Sequence, residues 1–525
     1  MQTSLPYGVR TGVIARSVAG LLQALALLLA AAAFAAGQPA AAGAAAESAR
    51  HAGPGATFYR VVNLAPGYTY GIPLINARGQ VAFSLGSQAI PNATEPSAWF
   101  HDGGRTRPIG DLGDPAGYAI VTGLNNHGQV VGQSRLASGE SRVFIWSPQR
   151  AIADLGTLPG TTHTWSPAIN DRGVVAGSAR GDPPRNRLFR WTAAGGMEDL
   201  VPAGADIPGE KYVRAINDDG LITGFSWDQS ITHAFVWTRN TGLVDIHTIE
   251  GSSYSSPMGV SDRGEVVGNY DLDRFGGSGL GVRSFVWTRG GGLRNLDPRD
   301  LENRVEAVTA NGLAVGTRAE YTAFTWTRAR GLVELDKGLG LHTLAVAANR
   351  HGQVVGNADE TGPPHAVLWT AGGRLVDLHS RLRRAPAGLA LTGAVAISDN
   401  GTIVAYSNAG VVLLQPDRGQ PVAYAVGPIA VPATATVGVP FDVSVSIADD
   451  HPGARHRIRW NWDDGATTQS TSTRVGPGQW RAGTRHSFAT TGLHMVRARV
   501  VDRSGRDVVV LGEVNVQGGG PPPPG

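Results

Sequence analysis

The sequence predicts an all-β protein, a β-propeller followed by a small immunoglobulin-like β-sandwich. Three observations lead to this fold class. A unit of 40 to 49 residues recurs about eight times, and each copy holds two β-hairpin patterns. No stretch of about 10 to 15 residues within the repeats has helical periodicity, which argues against helical or βαβ repeats. Repeats of this length with four short strands are typical of propeller blades.

The first hairpin of each unit is clearest at Asn170-Asp171-Arg172-Gly173. An Asx side chain opens such a turn because it bonds the backbone two residues on. The closing glycine supplies the positive φ that the last turn position needs. Apolar runs flank the turn, as expected for half-buried strands. The equivalent turn glycines are Gly79, Gly128, Gly173, Gly220, Gly264, Gly312, Gly352 and Gly401.

The second hairpin carries a tryptophan, and six copies place another glycine four residues past the first turn. The tryptophans are Trp99, Trp146, Trp191, Trp237, Trp287, Trp326 and Trp369. The second glycines, here called the strand glycines, are Gly132, Gly177, Gly224, Gly268, Gly316 and Gly356. A glycine inside a strand marks a close approach. We predict that it makes room for a neighbouring tryptophan ring.

The hairpin count suggests how the repeats close into a ring. There are eight turn-glycine hairpins but seven tryptophan hairpins, and the last unit is followed by the single strand 410–414. The segment Phe58–Leu64 resembles the last strand of a blade and precedes the first unit. We predict that these two strands pair, because pairing removes both free sheet edges. Eight blades are favoured, and seven blades with one unit left outside are the alternative.

Two tryptophans are preceded by a His-Ala pattern, which stands as His233-Ala234-Phe235-Val236-Trp237 and His365-Ala366-Val367-Leu368-Trp369. This pattern resembles the HAF repeat family of bacterial extracellular proteins, and the likeness covers roughly residues 58–416. The resemblance implies an exported protein of no defined activity.

The N-terminal residues 1–46 read as a signal peptide with an Ala-rich segment. Arg10 and Arg16 precede an apolar stretch, and Ala33-Phe34-Ala35 is a plausible cleavage site. The alternative is an uncleaved membrane anchor, since the apolar run is near 20 residues. We expect an exported protein, either extracellular or periplasmic, with no membrane span after cleavage. The chain has no cysteine, so no disulfide braces it.

The variable connections predict where function lies. The loops between the hairpins of one unit and between units differ in length, and in an up-and-down blade both sets emerge at the same end. Variable loops on a rigid scaffold commonly carry function. At that end an aromatic residue lies eight to ten residues before the turn glycine in five units. These residues are Tyr70, Tyr118, Trp165, Tyr212 and Tyr254.

First strands line the axis of a propeller, so these rings are candidates for encircling one mouth of the channel. There they would stack on a sugar or another flat ligand. The alternative is that they pack between adjacent blades.

Residues 425–516 form a second predicted domain, after a linker over 415–424. Its strands alternate with period two, as in a small sandwich. The segments Trp460–Gly465, His486-Ser487-Phe488 and Gly492–Val496 resemble a PKD domain, an immunoglobulin-like module of exported proteins. That resemblance implies Trp462 in the core and Asp464-Gly465 in a turn, although Asp463 replaces the family's usual glycine. Residues 517–525 are a Gly/Pro tail, expected to be disordered.

Composition and motifs exclude several function classes. The formal net charge is +3 and no basic patch is interleaved with aromatic residues, so a nucleic-acid partner is not expected. No zinc motif or phosphate-binding loop is present, and we predict neither metal nor cofactor. The acids near the mouth are Asp206, Glu210, Glu250, Asp271 and Asp273, and they are scattered. A glycosidase would need a pair of carboxylates.

The sequence therefore predicts an exported, non-catalytic binding or adhesion protein. Its ligand would be a polysaccharide or a protein partner at the variable-loop face. The alternatives are a glycan-acting propeller enzyme, a glycosidase or lyase, and a purely structural surface protein. The sequence leaves open the ligand, the oligomeric state and whether the protein is released, periplasmic or held at the surface.

Overall fold

The computed structural model describes residues 57–65, 69, 71–85, 97–181, 186–201, 207–228, 231–250, 252–271, 281–299, 301–319, 321–338, 342–359, 364–383, 385–418, 424–451 and 453–518. Within these ranges all regular elements are β-strands except one 3-10 turn at His379–Arg381, which confirms the all-β prediction. No helix in this part of the chain is long and apolar enough to cross a membrane. The predicted signal segment lies outside the described residues, as does the tail beyond residue 518.

Eight four-stranded antiparallel sheets follow one another along the chain. Sheets 1 to 4 consist of β2 (Leu74–Ile75), β3 (Val81–Ser84), β4 (Ala98–Asp102), β5 (Arg105–Pro108); β6 (Ala119–Leu124), β7 (Val130–Arg135), β8 (Ser141–Ser147), β9 (Arg150–Asp154); β10 (His163–Ile169), β11 (Val175–Arg180), β12 (Asn186–Thr192), β13 (Gly196–Asp199); and β14 (Glu210–Ile216), β15 (Ile222–Asp228), β16 (Ile231–Thr238), β17 (Gly242–Asp245).

Sheets 5 to 8 continue the pattern, and sheet 8 takes its fourth strand from the N-terminal end. They consist of β18 (Ser255–Val260), β19 (Val266–Asp271), β20 (Val282–Thr288), β21 (Gly292–Asn295); β22 (Asn303–Val308), β23 (Ala314–Arg318), β24 (Thr322–Thr327), β25 (Gly331–Glu334); β26 (His342–Ala348), β27 (Val354–Asp359), β28 (His365–Trp369), β29 (Leu375–Asp377); and β30 (Leu391–Ile397), β31 (Ile403–Ser407), β32 (Gly410–Pro416) with β1 (Tyr59–Ala65).

The turn between the first and second strands has the predicted chemistry. The side-chain oxygen of Asn170 accepts the N–H groups of Arg172 and Val174 at 3.1 and 2.9 Å. Gly173 has a φ of 72°, and the φ values of all eight turn glycines lie between 72° and 85°. Both parts of the turn prediction are confirmed.

These turns also bond to each other across sheets. The amide of Asn170 donates to the carbonyl of Asn217 in the next sheet at 2.9 Å, and the N–H of Asp171 donates to Asp218 Oδ1 at 2.9 Å. Side-chain or backbone bonds of this kind join every consecutive pair of sheets from 1 to 8. The amide of Asn400 then donates to the carbonyl of Arg78 at 2.8 Å, which connects sheet 8 to sheet 1.

Five of the six strand glycines make room for phenylalanine, and the sixth, Gly356, faces the carbonyl of Leu344, so the prediction of a tryptophan ring is wrong. A Cβ on Gly177 would lie 2.5 Å from Cζ of Phe189, the residue directly opposite it on β12. The same clash, with a phenylalanine of the same sheet, occurs at Gly132, Gly224, Gly268 and Gly316. The sequence pattern misled because Phe and Trp alternate on one strand and only cross-strand register shows which ring faces the glycine.

The predicted pairing of the N-terminal segment is confirmed. Strand β1 runs antiparallel to β32, with Tyr59 opposite Pro416 and Val61 opposite Leu414, and it buries Tyr59 and Val61 almost completely. The first strands of consecutive sheets are in contact, and β30 also contacts β2. The series of contacts that begins at sheet 1 therefore returns to sheet 1.

Two further sheets follow the eighth. Sheet 9 has the order β33 (Tyr424–Ala430), β35 (Phe441–Asp449), β39 (Gln479–His486), β38 (Thr473–Gly476), and sheet 10 has the order β34 (Thr434–Thr436), β41 (Asp507–Gln517), β40 (Gly492–Asp502), β36 (His456–Trp462), β37 (Thr467–Thr471). Trp460 and Trp462 belong to the buried core, as predicted for Trp462. The N–H of Ala466 bonds Asp464 at 2.9 Å and Gly465 has a φ of 88°, so the predicted turn is confirmed.

The C-terminal sheets dock on the strand that completes sheet 8. The side-chain amide of Asn63 on β1 donates to the carbonyl of Val426 at 3.0 Å and accepts its N–H at 2.9 Å. One apolar cluster contains Tyr59, Leu414 and Val426 together with the core of sheets 9 and 10. Strand β1 therefore belongs to two packing interfaces at once.

Candidate functional site

The five predicted aromatic residues fall at two different levels of the first strands. Trp165 and Tyr212, eight residues before their turn glycines, lie inside β10 and β14. Tyr118 and Tyr254, ten residues before theirs, each come one residue before β6 and β18. Tyr70 lies outside the described residues. The described aromatic residues therefore do not form a single ring. Trp165 and Tyr212 form a pair within the strands, and Tyr118 and Tyr254 lie separately at the strand entries.

The structure brings Trp165 and Tyr212 together. Their ring centroids are 6.5 Å apart with planes tilted by 57°, and the Tyr212 ring stacks on Phe225 at 5.1 Å. The Tyr212 hydroxyl donates to Glu210 Oε2 at 2.9 Å, and Glu210 lies 3.4 Å from Arg180. Burial and this bond to Glu210 raise the pKa of Tyr212, so it is a neutral phenol at physiological pH. Trp165 and Tyr212 are half-buried and lie on the first strands of adjacent sheets. Partial burial is compatible with both predicted roles, packing between blades and contact with a ligand.

Trp165 has two features that packing alone does not require. Its indole nitrogen is enclosed and has no hydrogen-bond partner among the described residues, which is uncommon for a buried donor. The next residue, Ser166, has a φ of 53°. A non-glycine residue in this region costs about 1 to 3 kcal/mol, and such strain concentrates at functional sites.

Tyr118 and Tyr254 have different surroundings. The guanidinium of Arg135 lies 4.9 Å from the centroid of the Tyr118 ring, within the range of a cation–π contact. Tyr254 is 41% exposed, and its backbone carbonyl accepts the N–H of Asp271 at 3.2 Å. Neither ring contacts the pair formed by Trp165 and Tyr212 closely enough to form a ring–ring interaction in the described structure.

Sequence reasoning missed a second set of residues on the first strands. The pairing of the first and second strands shifts at one place in each of sheets 2 to 7 and at two places in sheet 8, and each shift makes a β-bulge. The additional residues at these bulges are Thr122, Ser166 with Pro167, Arg214, Met258, Glu306, Val346, Thr392 and Val395. Two of them, Arg214 and Glu306, are charged. The sequence contained one signal for this: Arg214 is a charged residue between the apolar residues Val213 and Ala215.

The charged bulge residues form one electrostatic group with Arg304. Arg304 Nε donates to Glu306 Oε1 at 2.9 Å. Arg214 Nη2 lies 3.9 Å from Met258 Sδ in the adjacent sheet. Burial lowers the pKa of Arg214, nearby Tyr254 and Glu306 act to raise it, and Arg304 adds to the lowering. Burial likewise raises the pKa of Glu306, against the opposite effect of Arg304 and Arg214.

Within the described ranges, no group of three His, Asp or Glu side chains is arranged to hold a metal ion. Of the acids predicted near the mouth, Asp206 and Asp273 lie outside these ranges. Glu210 is engaged by Tyr212, and Asp271 lies close to the Ser252 side chain.

A cavity of about 450 Å³ lies apart from this site, where β1 meets the turn of sheet 8. It is lined by Phe58, Arg383, Asp399, Asn400 and Pro416, among others. Arg383 stacks over Phe58 at 3.9 Å and reaches Asp417 at 3.7 Å, so its charge is already partnered. The cavity lies at the end of the sheets that carries the turns closed by the turn glycines. The entries of the first strands lie at the opposite end.

Comparison with known proteins gives no family. No family model matches the chain, and no curated protein matches it. TolB from Acinetobacter baumannii aligns at 9% identity with a TM-score of 0.30, covering 66% of this chain and 64% of TolB. The extracellular domain of the putative one component system BT4673 from B. thetaiotaomicron aligns at 8% identity with a TM-score of 0.25, covering 87% and 99%. The Niastella koreensis GH74 enzyme aligns at 10% identity with a TM-score of 0.35, covering 86% and 74%. At these TM-scores the likenesses carry no argument about function.

Proposed function

We propose that sheets 1 to 8 form a closed eight-bladed β-propeller of HAF-type repeats and that residues 425–516 form a PKD-type sandwich. Three observations support the ring: the contacts between first strands return to sheet 1, β1 completes sheet 8, and Asn400 bonds Arg78. The count of eight four-stranded sheets favours eight blades over seven. The shared burial of Trp460, Trp462 and Phe488 supports the sandwich.

We infer that the protein is an exported binding protein whose ligand is a polysaccharide held at the variable-loop mouth of this propeller. The observation that carries the proposal is the pair of half-buried rings, Trp165 and Tyr212, beside the polar group Glu210 and Arg180. Sugar rings present apolar faces and hydroxyl edges, so an aromatic surface with adjoining acceptors and donors suits them. The unpaired Trp165 indole N–H supplies one such donor when the ring moves slightly.

Binding without turnover is part of the proposal. A glycosidase needs one carboxylate as acid and another as nucleophile or base. On the first strands, Glu210 is held by Tyr212 and Arg180, and Glu306 by Arg304. Each of these carboxylates is thus committed to a neighbour, which supports recognition over catalysis.

A glycan-array screen tests the proposal on the exported chain, which is the protein without the predicted signal segment 1–46. The variants Trp165→Ala and Tyr212→Ala are screened beside the wild type. We expect binding to at least one glycan, reduced about tenfold or more in both variants, since stacking on an aromatic ring contributes about 1 kcal/mol or more. Leu493→Ala is the control, because Leu493 is 68% exposed and lies on β40, outside sheets 1 to 8.

Three outcomes contradict the proposal in different ways. Binding to no glycan points to a protein partner or a structural role. Release of shorter glycans by the purified protein identifies an enzyme. Glycan binding that survives both substitutions removes Trp165 and Tyr212 from the site and returns them to packing between blades.

A further inference from the structure

Arg214 is the least satisfied cation of the first strands. It is the additional residue of the bulge in β14, so its side chain leaves the regular alternation of the strand. Its only hydrogen-bond partner among the described residues is the thioether of Met258, at 3.9 Å. A thioether is a weak acceptor, whereas a guanidinium carries five donors. No carboxylate in the described structure lies within ion-pair distance of Arg214.

The nearby charges leave an excess of one positive charge. Arg304 and Glu306 bond each other at 2.9 Å, so Arg214 is the charge without a counterion. Glu306 acts on Arg214 through space while its carboxylate stays with Arg304. Tyr254 is the remaining polar side chain that acts on Arg214 electrostatically. An anion in this group would therefore be attracted chiefly by Arg214, because the charge of Arg304 is offset by Glu306.

The position of Arg214 combines access with enclosure. The side chain is exposed to solvent, yet surrounding protein disfavours its charged form. Both properties are expected of a side chain in the water-filled channel of the proposed propeller, where it contacts solvent and is still surrounded by protein. Charge interactions are stronger in such an enclosure than at an open surface.

Arg214 also lies close to the proposed sugar site. It follows Tyr212 by two residues on β14, and Tyr254 at the entry of the next first strand acts on its charge. A sugar ring on Trp165 and Tyr212 would thus extend toward Arg214 along the same strand. A guanidinium binds a planar carboxylate through two parallel hydrogen bonds, which gives geometric as well as electrostatic selectivity.

We propose that Arg214, supported by Arg304, binds the carboxylate of a uronic acid residue, so that the ligand is an acidic oligosaccharide. The inference rests on the proposed glycan-binding function and names its substrate class. Glu306 has a positioning role, because it bonds Arg304 at 2.9 Å and offsets its charge.

Calorimetry on the exported chain tests this assignment with matched probes. The acidic probes are tetrasaccharides of galacturonate, glucuronate and mannuronate, and the neutral probes are the same tetrasaccharides with their carboxylates reduced to alcohols. A neutral tetrasaccharide bearing sulfate esters distinguishes a carboxylate site from a general anion site. We expect at least one acidic probe to bind about tenfold or more tightly than its reduced counterpart, with affinity falling as salt concentration rises.

Variants assign the effect to Arg214. Arg214→Gln is expected to abolish the preference for the acidic probe while the reduced probe binds as before. Arg214→Lys retains the positive charge but cannot form the two parallel hydrogen bonds of a guanidinium. It is expected to keep only part of the preference for the acidic probe. Arg350→Gln is the control, since Arg350 lies in a turn at the other end of sheet 7 and pairs with Asp399 at 3.2 Å. Melting curves of all variants check that each is folded.

The outcomes separate this inference from the proposed function. Equal binding of acidic and reduced probes, or an unchanged preference in folded Arg214→Gln, overturns the carboxylate site but leaves glycan binding in place if Trp165→Ala still weakens it. Tighter binding of the sulfated probe than of every uronate overturns the choice of carboxylate. Binding of no probe, acidic or neutral, to the wild type and of no glycan on the array overturns both.

Discussion

The eight repeated sheets and the two C-terminal sheets are held together by different chemistry. In the repeats, the same contacts recur from sheet to sheet: a strand glycine against a phenylalanine ring, an Asn amide against the carbonyl of the next turn, and an ion pair such as Arg187 with Asp199. In sheets 9 and 10 the contacts are unique and ionisable. His486 bonds Asp464 at 2.8 Å, His494 bonds Asp463 at 2.9 Å, and the buried His456 bonds Asp449 at 3.0 Å.

The difference shows how stability is distributed in each region. A repeated contact contributes a small amount at many sites, and each sheet relies on its neighbours, so the weakest point is where the series must close. The His–Asp bonds of sheets 9 and 10 occur once each, so their contribution to the free energy of unfolding is concentrated in a few residues. That contribution depends on the protonation state of the imidazoles. In the C-terminal unit two imidazoles also stack on rings of the core, His486 on Trp462 at 4.1 Å and His494 on Phe488 at 4.0 Å.

Removing the closing strand should have the largest effect. Deletion of residues 57–65 removes Tyr59 and Val61 from the core and exposes the edge of β32. Burial of each such side chain contributes about 1.5 to 3 kcal/mol. We expect the melting temperature of the repeats to fall by roughly 10 °C or more, measured by differential scanning calorimetry.

The same deletion also removes Asn63, which bonds Val426. The C-terminal sheets should therefore unfold as a separate transition, no longer coupled to the repeats. Val61→Ala is the mild version, expected to cost about 1 to 2 kcal/mol. An unchanged melting curve after the deletion would reject the closure.

A single methyl group tests the repeated contact. Gly177→Ala places a Cβ where the Phe189 ring lies, which should cost about 1 to 3 kcal/mol from overpacking. Gly290→Ala is the control, because its Cβ would meet nothing within 4 Å. Urea unfolding measures both. Combining Gly177→Ala with Phe189→Leu should cost less than the sum of the single effects, and strict additivity would contradict the assigned contact.

The bonds between turns can be separated from the bonds within a turn. Asn170→Ala loses both sets, and the expected cost is about 1 to 3 kcal/mol. Asn170→Thr should keep the turn and lose only the bond to Asn217, because Thr309 at the equivalent position of sheet 6 accepts the N–H of Leu313 at 3.0 Å. Equal free energies of unfolding for the two variants, again from urea titration, would show that the inter-sheet bond contributes nothing.

The smallest expected effect is the pH dependence of the C-terminal sheets. Burial pulls the pKa of His494 down, but its bonds to Asp463 and Thr490 and the nearby carboxylates raise it further than burial lowers it, so the net direction is upward. A raised pKa means that the folded state favours the protonated imidazole. This contribution is complete below pH 6.5 and is lost as the pH rises through the elevated pKa of the folded state.

Asp464 behaves in the opposite sense. Burial raises its pKa, while the N–H of Ala466 and His486 lower it by more, so its contribution is lost only as the pH falls below 3.8. We expect a loss of up to about 1 kcal/mol for the C-terminal transition above pH 6.5, and none for the repeats. In Asp463→Asn the alkaline loss should shrink, and an identical profile would contradict the role of the His494 pair.

Local chemistry explains what sequence reasoning predicted well. The Asx residue and the glycine of each turn act within four residues, so their roles follow from side-chain type and φ alone. The pairing of Tyr59–Ala65 with Gly410–Pro416 was predictable despite the distance in sequence, because the hairpin count left one strand without a partner at each end.

Properties that depend on register were not predictable. Whether Phe189 or Trp191 faces Gly177 is decided by a two-residue difference in pairing, and the sequence motif contains both rings. The five aromatic candidates read as one set because their spacings differ by only two residues, yet that difference places Tyr118 and Tyr254 outside the strands.

The sequence by itself determined the strands, the turns and the order of the sheets, since these depend on residues that are neighbours along the chain. Only the tertiary structure decided which side chains meet between sheets. The bulges show the physical reason: one additional residue turns Arg214 and Glu306 out of the regular alternation, and it brings Arg214 to Met258 of the next sheet. Such juxtapositions depend on packing between residues that are tens of positions apart.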